Sequence, residues 1–249
     1  MLFRDDGSEV LAISQLAHAW IAGQILRAWS ENLGEPLLFA TELHDIGWLD
    51  WEAIPTFNPQ TGRPHLFREV APAVHAPMWA QGVERALAAW GGHVALLVSR
   101  HGGLIYRRYA RRGDEADAAA VDNYLAGQAA FEGIWAGKLG LSDEALNKET
   151  ALLAFADAVS LALCGDLKPP LDLEAPGRDG ETVRFRLAER SGRPFEFVLS
   201  PWPFREDVLI VEGEGRPLPA GGRFPDEAAM RNWLAAPRRA VFDSVLRRA

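Results

Sequence analysis

The sequence predicts a mainly α-helical protein, in which a helical bundle is followed by a small antiparallel β-sheet appendage at the C-terminal end. Up to about Gly165, the chain of 249 residues is rich in Ala and Leu and has helical periodicity. From Lys168 onwards, apolar and charged residues alternate as they do in half-buried strands. We therefore expect a helical core over residues 1–166 and a small α+β subdomain over residues 167–249 that packs on this core.

Capping and stop signals set the expected limits of the helices. Ser14 and Ser142 are suitable N-caps for the first and last helices of the bundle, because a serine hydroxyl accepts a hydrogen bond from a free backbone N–H. Gly47 is expected to end the second helix in the left-handed conformation, and Gly102 with Gly103 to end the fourth. The predicted helices are 14–31, 36–46, 76–90, 93–101, 114–138 and 142–164.

The C-terminal part is predicted to form a small sheet. Residues 182–187 and 194–199 alternate apolar and polar side chains around a turn, which predicts a β-hairpin. A third strand is expected over residues 207–212. Two short helices, 226–235 and 238–247, are expected to complete the chain. Because so small a sheet is not stable alone, we expect it to pack on the helical part.

Composition excludes several classes of function. The net charge is −8, which argues against a protein that binds nucleic acid through its overall charge. The single cysteine, Cys164, rules out an intramolecular disulfide and fits a reducing compartment. The acidic start of the chain does not resemble a signal peptide, and no stretch is long and apolar enough to span a bilayer. We expect a soluble, cytoplasmic, bacterial protein with no membrane partner, for which a homo-oligomer stays possible.

Two polar residues lie in unusually apolar helical surroundings. His18 shares a helix face with Ala22 and Ile25 and is expected to point inwards. A buried imidazole needs a partner, and a metal ion and a hydrogen bond in the core are equally suitable for this residue alone. Asp157 lies within the apolar helix segment 151–163, where a carboxylate is hard to explain unless it is paired or bound to a metal.

Four further positions carry metal-ligand side chains near predicted helix ends. His44 and Asp45 are neighbours, and neighbours on a helix point about 100° apart, so both reach one ion only near a helix end or beside a cavity. His75 lies at the start of one predicted helix and His101 at the end of the next. The two remaining histidines, His65 and His93, are expected to be surface or capping residues.

The order H…HD…H…H…D over residues 14–164 resembles the dinuclear branch of the HD-domain superfamily. The segments Leu43–Trp48 and Pro201–Phe204 resemble, more narrowly, an uncharacterised bacterial family of HD-like proteins, the domain of unknown function family 3891. The superfamily resemblance implies an HD-domain helical bundle that holds one or two divalent transition metals. The first metal would be held by His18, His44, Asp45 and Asp157. A second would be held by His75 and His101, with Asp45 as a bridge.

Imidazole and carboxylate ligands suit several metals, so the ligand set does not choose among them. Fe and Mn are favoured, and Ni, Co and Zn are possible. The resemblance implies a metal-dependent phosphohydrolase that acts on a small anionic substrate. Asp45 would bridge and orient, and Arg100 would supply a catalytic positive charge. Trp48 stands where many superfamily members have a lysine.

Substrate binding is assigned by this reasoning to Trp48, Arg107 and Arg108, in a cleft beside a loop predicted over residues 52–74. The alternative for the two arginines is a solvated helix face. Two other functions stay open, an HD-type di-iron oxygenase and a non-catalytic metal or ligand sensor. A site from which His75 or His101 is turned away would hold a single metal and favour the hydrolase over the oxygenase.

Overall fold

A curled, seven-stranded β-sheet forms one side of the protein, and helices cover its inner face. The computed structural model describes residues 1–5, 7–109, 113–177 and 179–249. The prediction of a helical bundle with a small C-terminal sheet is therefore wrong. Within these ranges, no helix has the length and apolar character needed to cross a membrane.

Strands from both ends of the chain build the sheet. Among the described residues its order is β1-β2-β8-β9-β7-β6-β5, and only the β7–β9 pair is parallel. A separate two-stranded sheet pairs β3 with β4. The strands are β1 (Leu2–Asp5), β2 (Val10–Ile13), β3 (Phe57–Asn58), β4 (Arg63–Pro64), β5 (Leu171–Pro176), β6 (Thr182–Glu189), β7 (Glu196–Ser200), β8 (Val208–Pro217) and β9 (Ala240–Arg248).

The helices follow the predicted order, with different ends. Ser14 and Ser142 are N-caps as predicted, since their hydroxyls accept hydrogen bonds from the N–H groups of Ala17 and Ala145. The helices are α1 (Gln15–Arg27), α2 (Glu35–Leu43), α3 (Leu49–Ala53), α4 (Pro72–Trp90), α5 (Gly92–Tyr109), α6 (Glu115–Leu139), α7 (Asp143–Leu163) and α8 (Glu227–Ala235). A short 3-10 helix, Ile46–Trp48, follows α2.

The sheet is larger than predicted because short strands carry a weak sequence signal. Leu2–Asp5 and Val10–Ile13 have four residues each, too few to establish an alternating pattern, and β2 joins the sheet by pairing with β8. The helix expected over residues 238–247 is wrong: this segment is the strand β9. Its neighbours β7 and β8 hydrogen-bond to it on both sides, and this pairing outweighs local preference.

Gly47, Gly102 and Gly103 were expected to end helices, but none of them does so in the left-handed conformation. Two of them, Gly47 and Gly102, instead allow close packing. The prediction that α5 ends at Gly102 is wrong, because the helix continues through Gly103 to Tyr109. A Cβ atom at Gly102 would lie 2.2 Å from the Tyr124 hydroxyl, so this glycine lets α5 approach α6 closely. Gly47 is not among the residues with positive φ, so its expected left-handed conformation is also wrong.

The main hydrophobic core lies between the sheet and helices α1, α2, α5 and α7. Four aromatic side chains join the two layers. Trp29 lies 5.5 Å from Phe155 of α7 and 5.8 Å from Phe204, and Phe155 lies 4.9 Å from Phe185 of β6, measured between ring centroids. These contacts hold α7 and the end of α1 against the sheet.

A buried arginine connects the first strand to the end of α7. The Arg4 guanidinium donates hydrogen bonds to the Leu163 carbonyl at 2.7 Å, to the Ser244 hydroxyl at 2.6 Å and to the Asp243 carbonyl at 2.8 Å. It lies 3.5 Å from the ring centroid of Phe195, a cation–π contact. These contacts make the N-terminal strand an integral part of the sheet.

The turn after α2 packs backbone to backbone against α4. A Cβ atom at Gly47 would lie 2.4 Å from the Met78 carbonyl oxygen, and one at Gly82 would lie 2.9 Å from the Gly47 nitrogen. We predict that Gly47→Ala destabilises the protein by about 1–3 kcal/mol, because a methyl group has no room between two backbones. Urea unfolding followed by circular dichroism measures this change.

Gly133→Ala is the matched control, because Gly133 lies on the exposed face of α6 with no heavy atom within 4 Å of an added Cβ. This variant is expected to be more stable by roughly 0.5–1 kcal/mol, since alanine favours a helix more than glycine does. Equal stability of Gly47→Ala and the wild type would show that the contact between the turn and α4 is not tight.

Candidate metal centre

Five buried polar side chains converge where four segments of the fold meet. His18 comes from α1, His44 and Asp45 from the turn that ends α2, His101 from α5 and Asp157 from α7. All five residues are less than 9% exposed, in surroundings that are mostly apolar. His44 is the C-cap of α2 and Asp45 follows it, so two neighbouring residues point into one site, as their position at a helix end predicts.

His44 is oriented for ligation. Its Nδ1 donates a hydrogen bond of 2.8 Å to the Thr41 carbonyl, which leaves Nε2 as the nitrogen that faces the site. This Nε2 atom is buried without a hydrogen-bond partner among the described residues, and lies 3.5 Å from a carboxylate oxygen of Asp45 and 3.5 Å from one of Asp157. Metal-bound histidines commonly hold their second nitrogen against a carbonyl in this way.

His18 is fixed on both sides of its ring. Its Nε2 lies 2.7 Å from Oδ2 of Asp45, and its Nδ1 lies 2.9 Å from the Ser160 hydroxyl. The Ser160 hydroxyl in turn donates to the Asp157 backbone carbonyl at 2.8 Å. Ser160 is three residues after Asp157 and Thr41 is three residues before His44, so helical spacing around the ligands was a signal that could have identified both supporting residues.

Asp157 and His101 complete the group. Nε2 of His101 lies 3.4 Å from Oδ2 of Asp157, and the His101 ring stacks on Trp79 with 6.0 Å between centroids. Nδ1 of His101 is buried and has no partner among the described residues. Sequence reasoning placed His101 at a second metal, whereas the structure places it beside the carboxylate assigned to the first.

The spacing of the ligand atoms of His44, His101 and Asp157 fits one metal ion. Ligands about 2.0–2.2 Å from an ion in tetrahedral geometry lie roughly 3.4 Å from one another, close to the separations of 3.4–3.5 Å around Asp157 and His44. Two groups of three have ligand atoms within 4.8 Å of one another, His18 with His44 and Asp45, and His44 with His101 and Asp157. Both groups include His44, whose single free nitrogen could bind only one ion.

The charges of the site favour a cation. Burial lowers the pKa of His44, but the carboxylates of Asp45 and Asp157 outweigh this effect and raise the pKa to about 9. Burial raises the pKa of Asp157, but contacts with His101 and His44 outweigh it and hold the pKa well below its usual range. Burial also lowers the pKa of His101. In the absence of metal, a proton on His44 therefore partly balances the two carboxylates.

The structure places His75 apart from this cluster. Its Nδ1 is hydrogen-bonded to the Tyr106 hydroxyl, and it belongs to no group of three potential ligands among the described residues. His65 and His93 also lie elsewhere, as expected. Nδ1 of His65 bonds to the Thr56 hydroxyl at 2.9 Å, and Nε2 of His93 lies 2.8 Å from Glu149.

The residues assigned to catalysis and substrate binding line a cleft of about 1910 Å³ beside the cluster. Arg100 bonds to Asn147 at 2.5 Å and lies 3.7 Å from Glu132 and from Asp143, so its charge is already balanced. Trp48 is buried, packs edge-on against Trp51 and Phe67, and lies tilted against the ring of His75. The cleft is bordered by Trp48 and by residues 67–72 of the predicted loop, as expected.

Arg107 and Arg108 line the same cleft from the last turns of α5. Both are exposed, and neither lies within 4.0 Å of a carboxylate in the described part of the chain, although the charge of Arg107 partly offsets the rise that burial causes in the pKa of Glu132. Arg108 follows His101 by seven residues, so the two share a helix face about 10 Å apart. Side chains on a helix lean towards its N-terminus, so the Arg108 side chain can extend from this position towards His101.

The fold and site define a class: a helical layer on a curled sheet, with a buried His/Asp cluster that could hold a metal ion and that lines a cleft. Residues 1–220 match the model of a family described as protein of unknown function (DUF3891). The chain belongs to this family. No curated protein and no solved structure matches the chain significantly.

Metal binding at this cluster is predicted to release about one proton per ion at pH 7. A metal on Nε2 of His44 displaces the proton that this residue holds below its pKa of about 9. Affinity should therefore rise as the pH rises towards 9 and then level off. Calorimetric titration with Mn²⁺ or Zn²⁺ in buffers of different ionisation enthalpy measures the number of protons released.

His44→Gln is the variant to compare, because its amide cannot take up a proton in this range. Its weaker binding should release fewer protons than that of the wild type. An apparent binding enthalpy that is independent of the buffer in the wild type would contradict the protonated state of His44.

Proposed function

We propose that this protein is a metal-dependent phosphohydrolase of the HD type, acting on small phosphorylated molecules. The observation that carries the proposal is the buried cluster of His18, His44, Asp45, His101 and Asp157 at the floor of an open cleft. Buried carboxylates and an unpartnered imidazole nitrogen suit a divalent ion, and the order of these residues resembles that of the HD superfamily.

The five residues would hold the ion, and the rest of the cleft would hold the substrate. When bound, a divalent ion supplies Lewis acidity, which lowers the pKa of water towards neutrality and draws charge from a phosphoryl oxygen. Oδ1 of Asp45 makes no hydrogen bond to any described residue, and Asp45 lines the cleft. There Asp45 is suited to orient the attacking water and to accept its proton.

Two arginines are suited to bind the phosphate. Arg107 and Arg108 line the cleft. A guanidinium group can donate two parallel hydrogen bonds to the oxygens of a bound phosphate. Arg100, the arginine that sequence reasoning assigned to catalysis, is less suitable because Asn147, Glu132 and Asp143 already surround it. We therefore propose that Arg107 and Arg108, further along α5, bind the anion in place of Arg100.

The di-iron oxygenase is the weaker alternative on this geometry. A second iron needs its own ligands, and His75 is turned to Tyr106 while His101 lies beside Asp157. A non-catalytic metal site is the other alternative. It differs from an enzyme in that metal removal would cost much of the folding stability, because binding free energy is then folding free energy.

Metal-dependent turnover is the first test. We expect the metal-free protein to hydrolyse nucleotides, sugar phosphates or aryl phosphates only after addition of Mn²⁺, Fe²⁺, Co²⁺, Ni²⁺ or Zn²⁺. Asp45→Asn should lower kcat by at least about 100-fold, because it removes the proton acceptor and a charged ligand. Release of phosphate, measured with a stopped colorimetric assay, reports the rate.

His93→Gln is the control, since His93 pairs with Glu149 outside the cluster and should leave the rate unchanged. No turnover with any metal, together with a large fall in melting temperature on metal removal, would contradict the hydrolase and favour a structural site. Two irons per chain after anaerobic purification would favour the oxygenase.

Phosphate binding by the arginines gives a separate prediction. The double variant Arg107→Gln, Arg108→Gln should raise KM for phosphorylated substrates by about tenfold or more, because two charge-assisted hydrogen bonds are lost. Its metal content should stay that of the wild type, since neither residue belongs to the cluster. An unchanged KM would show that the two arginines are only a solvated helix face.

A further inference from the structure

His75 and Tyr106 form a hydrogen-bonded pair in the wall of the cleft, outside the candidate metal cluster. His75 is in the first turn of α4 and Tyr106 is near the end of α5. The two rings are stacked with 5.4 Å between centroids, and Nδ1 of His75 bonds to the Tyr106 hydroxyl. Both residues line the cleft.

The buried phenol determines which nitrogen of His75 carries the proton. Tyr106 is 3% exposed, and burial raises the pKa of its hydroxyl, so the phenol keeps its proton. The only hydrogen-bond partner of this hydroxyl among the described residues is Nδ1 of His75. If Nδ1 donated instead, the buried phenol proton would have no acceptor, which is unfavourable. Tyr106 therefore donates to Nδ1.

The second nitrogen of His75 is then a donor that faces the cleft. With Nδ1 as the acceptor, a neutral ring carries its hydrogen on Nε2. Nε2 has no hydrogen-bond partner in the described part of the chain and is not among the buried polar atoms. Burial lowers the pKa of His75 to about 4, although Asp117 opposes this effect, so the ring is neutral at pH 7.

From this geometry we propose that His75 is a catalytic residue, whose Nε2–H donates a hydrogen bond to the leaving-group oxygen of the substrate. Tyr106 is the positioning residue that fixes the donor tautomer. This inference rests on the proposed hydrolase function and deepens it. It assigns as preferred substrates the phosphate esters of unactivated alcohols, whose leaving oxygen gains the most charge as the bond to phosphorus breaks.

The chemical step balances without a change in His75. The oxygen of water forms a bond to phosphorus as the ester P–O bond breaks, and Asp45 takes the proton that the water loses. That proton then passes to the departing alkoxide, directly or through solvent, which gives an alcohol and inorganic phosphate. His75 keeps its own proton and stabilises the negative charge that develops on the leaving oxygen.

The leaving group provides the test. We expect His75→Phe to lower kcat for an alkyl ester such as glycerol phosphate by about 100-fold, the usual effect of losing one such donor. The rate with p-nitrophenyl phosphate should change much less, because nitrophenolate leaves without help. His75→Gln retains an N–H donor near Nε2 and should recover part of the lost rate with the alkyl ester.

Two measurements separate this role from other roles of His75. Metal content of His75→Phe should equal that of the wild type; loss of the metal would overturn the proposal and make His75 a ligand. Nitrogen-15 NMR of the histidine rings should show His75 protonated on Nε2, and Tyr106→Phe should shift the ring towards protonation on Nδ1. A wild-type ring protonated on Nδ1 would overturn the proposal without any assay.

The failure of this inference is distinct from failure of the proposed function. If the wild type hydrolyses both esters and His75→Phe slows them equally or not at all, the inference is wrong and the hydrolase stands. If the wild type hydrolyses neither ester with any metal, the hydrolase is wrong and the catalytic role of His75 is wrong with it.

Discussion

The burial of two carboxylates, Asp45 and Asp157, in an apolar part of the fold is the constraint on which the site depends. An isolated buried carboxylate is costly, and two near each other repel, so the surroundings must supply positive charge. In the metal-free protein His44 supplies one positive charge, because the carboxylates raise its pKa to about 9. A divalent ion that replaces this proton would balance both carboxylates. The hydrogen bonds of His44 to Thr41 and of His18 to Ser160 hold the rings in place for either state.

The fold brings these residues together by packing helices closely and fixing them to a sheet. Gly47 and Gly82 let the turn that carries Asp45 touch the backbone of α4, and Gly102 lets α5 approach α6 beside His101. On the other side, α1 packs on β8 and α7 on β5. The residues that could hold the ion therefore lie on packed helices and the turn after α2, and residues 67–71 and strands β5 and β6 also line the cleft.

Local features of the helices and the presence of the polar cluster were predictable from the sequence, because they depend on short-range patterns. Ser14 and Ser142 cap helices as predicted, and an aspartate such as Asp157 in an apolar helix indicated a buried partner. The large sheet was not predictable, because strands of four residues at the N-terminus and β9 gain their conformation from pairing with distant strands. The surroundings of His75 and His101 were not predictable either. Their residue type and order predicted both as ligands of a second metal, but only the side-chain geometry places His101 beside Asp157 and His75 against Tyr106.

Metal binding at the cluster is tested most directly by an anomalous-difference map from crystals grown with Mn²⁺ or Zn²⁺, recorded at the absorption edge of the metal. We expect one strong peak within about 2.0–2.3 Å of Nε2 of His44 and of carboxylate oxygens of Asp45 and Asp157. A peak on Nε2 of His75, or no peak between the carboxylates while the metal is bound elsewhere, would contradict it.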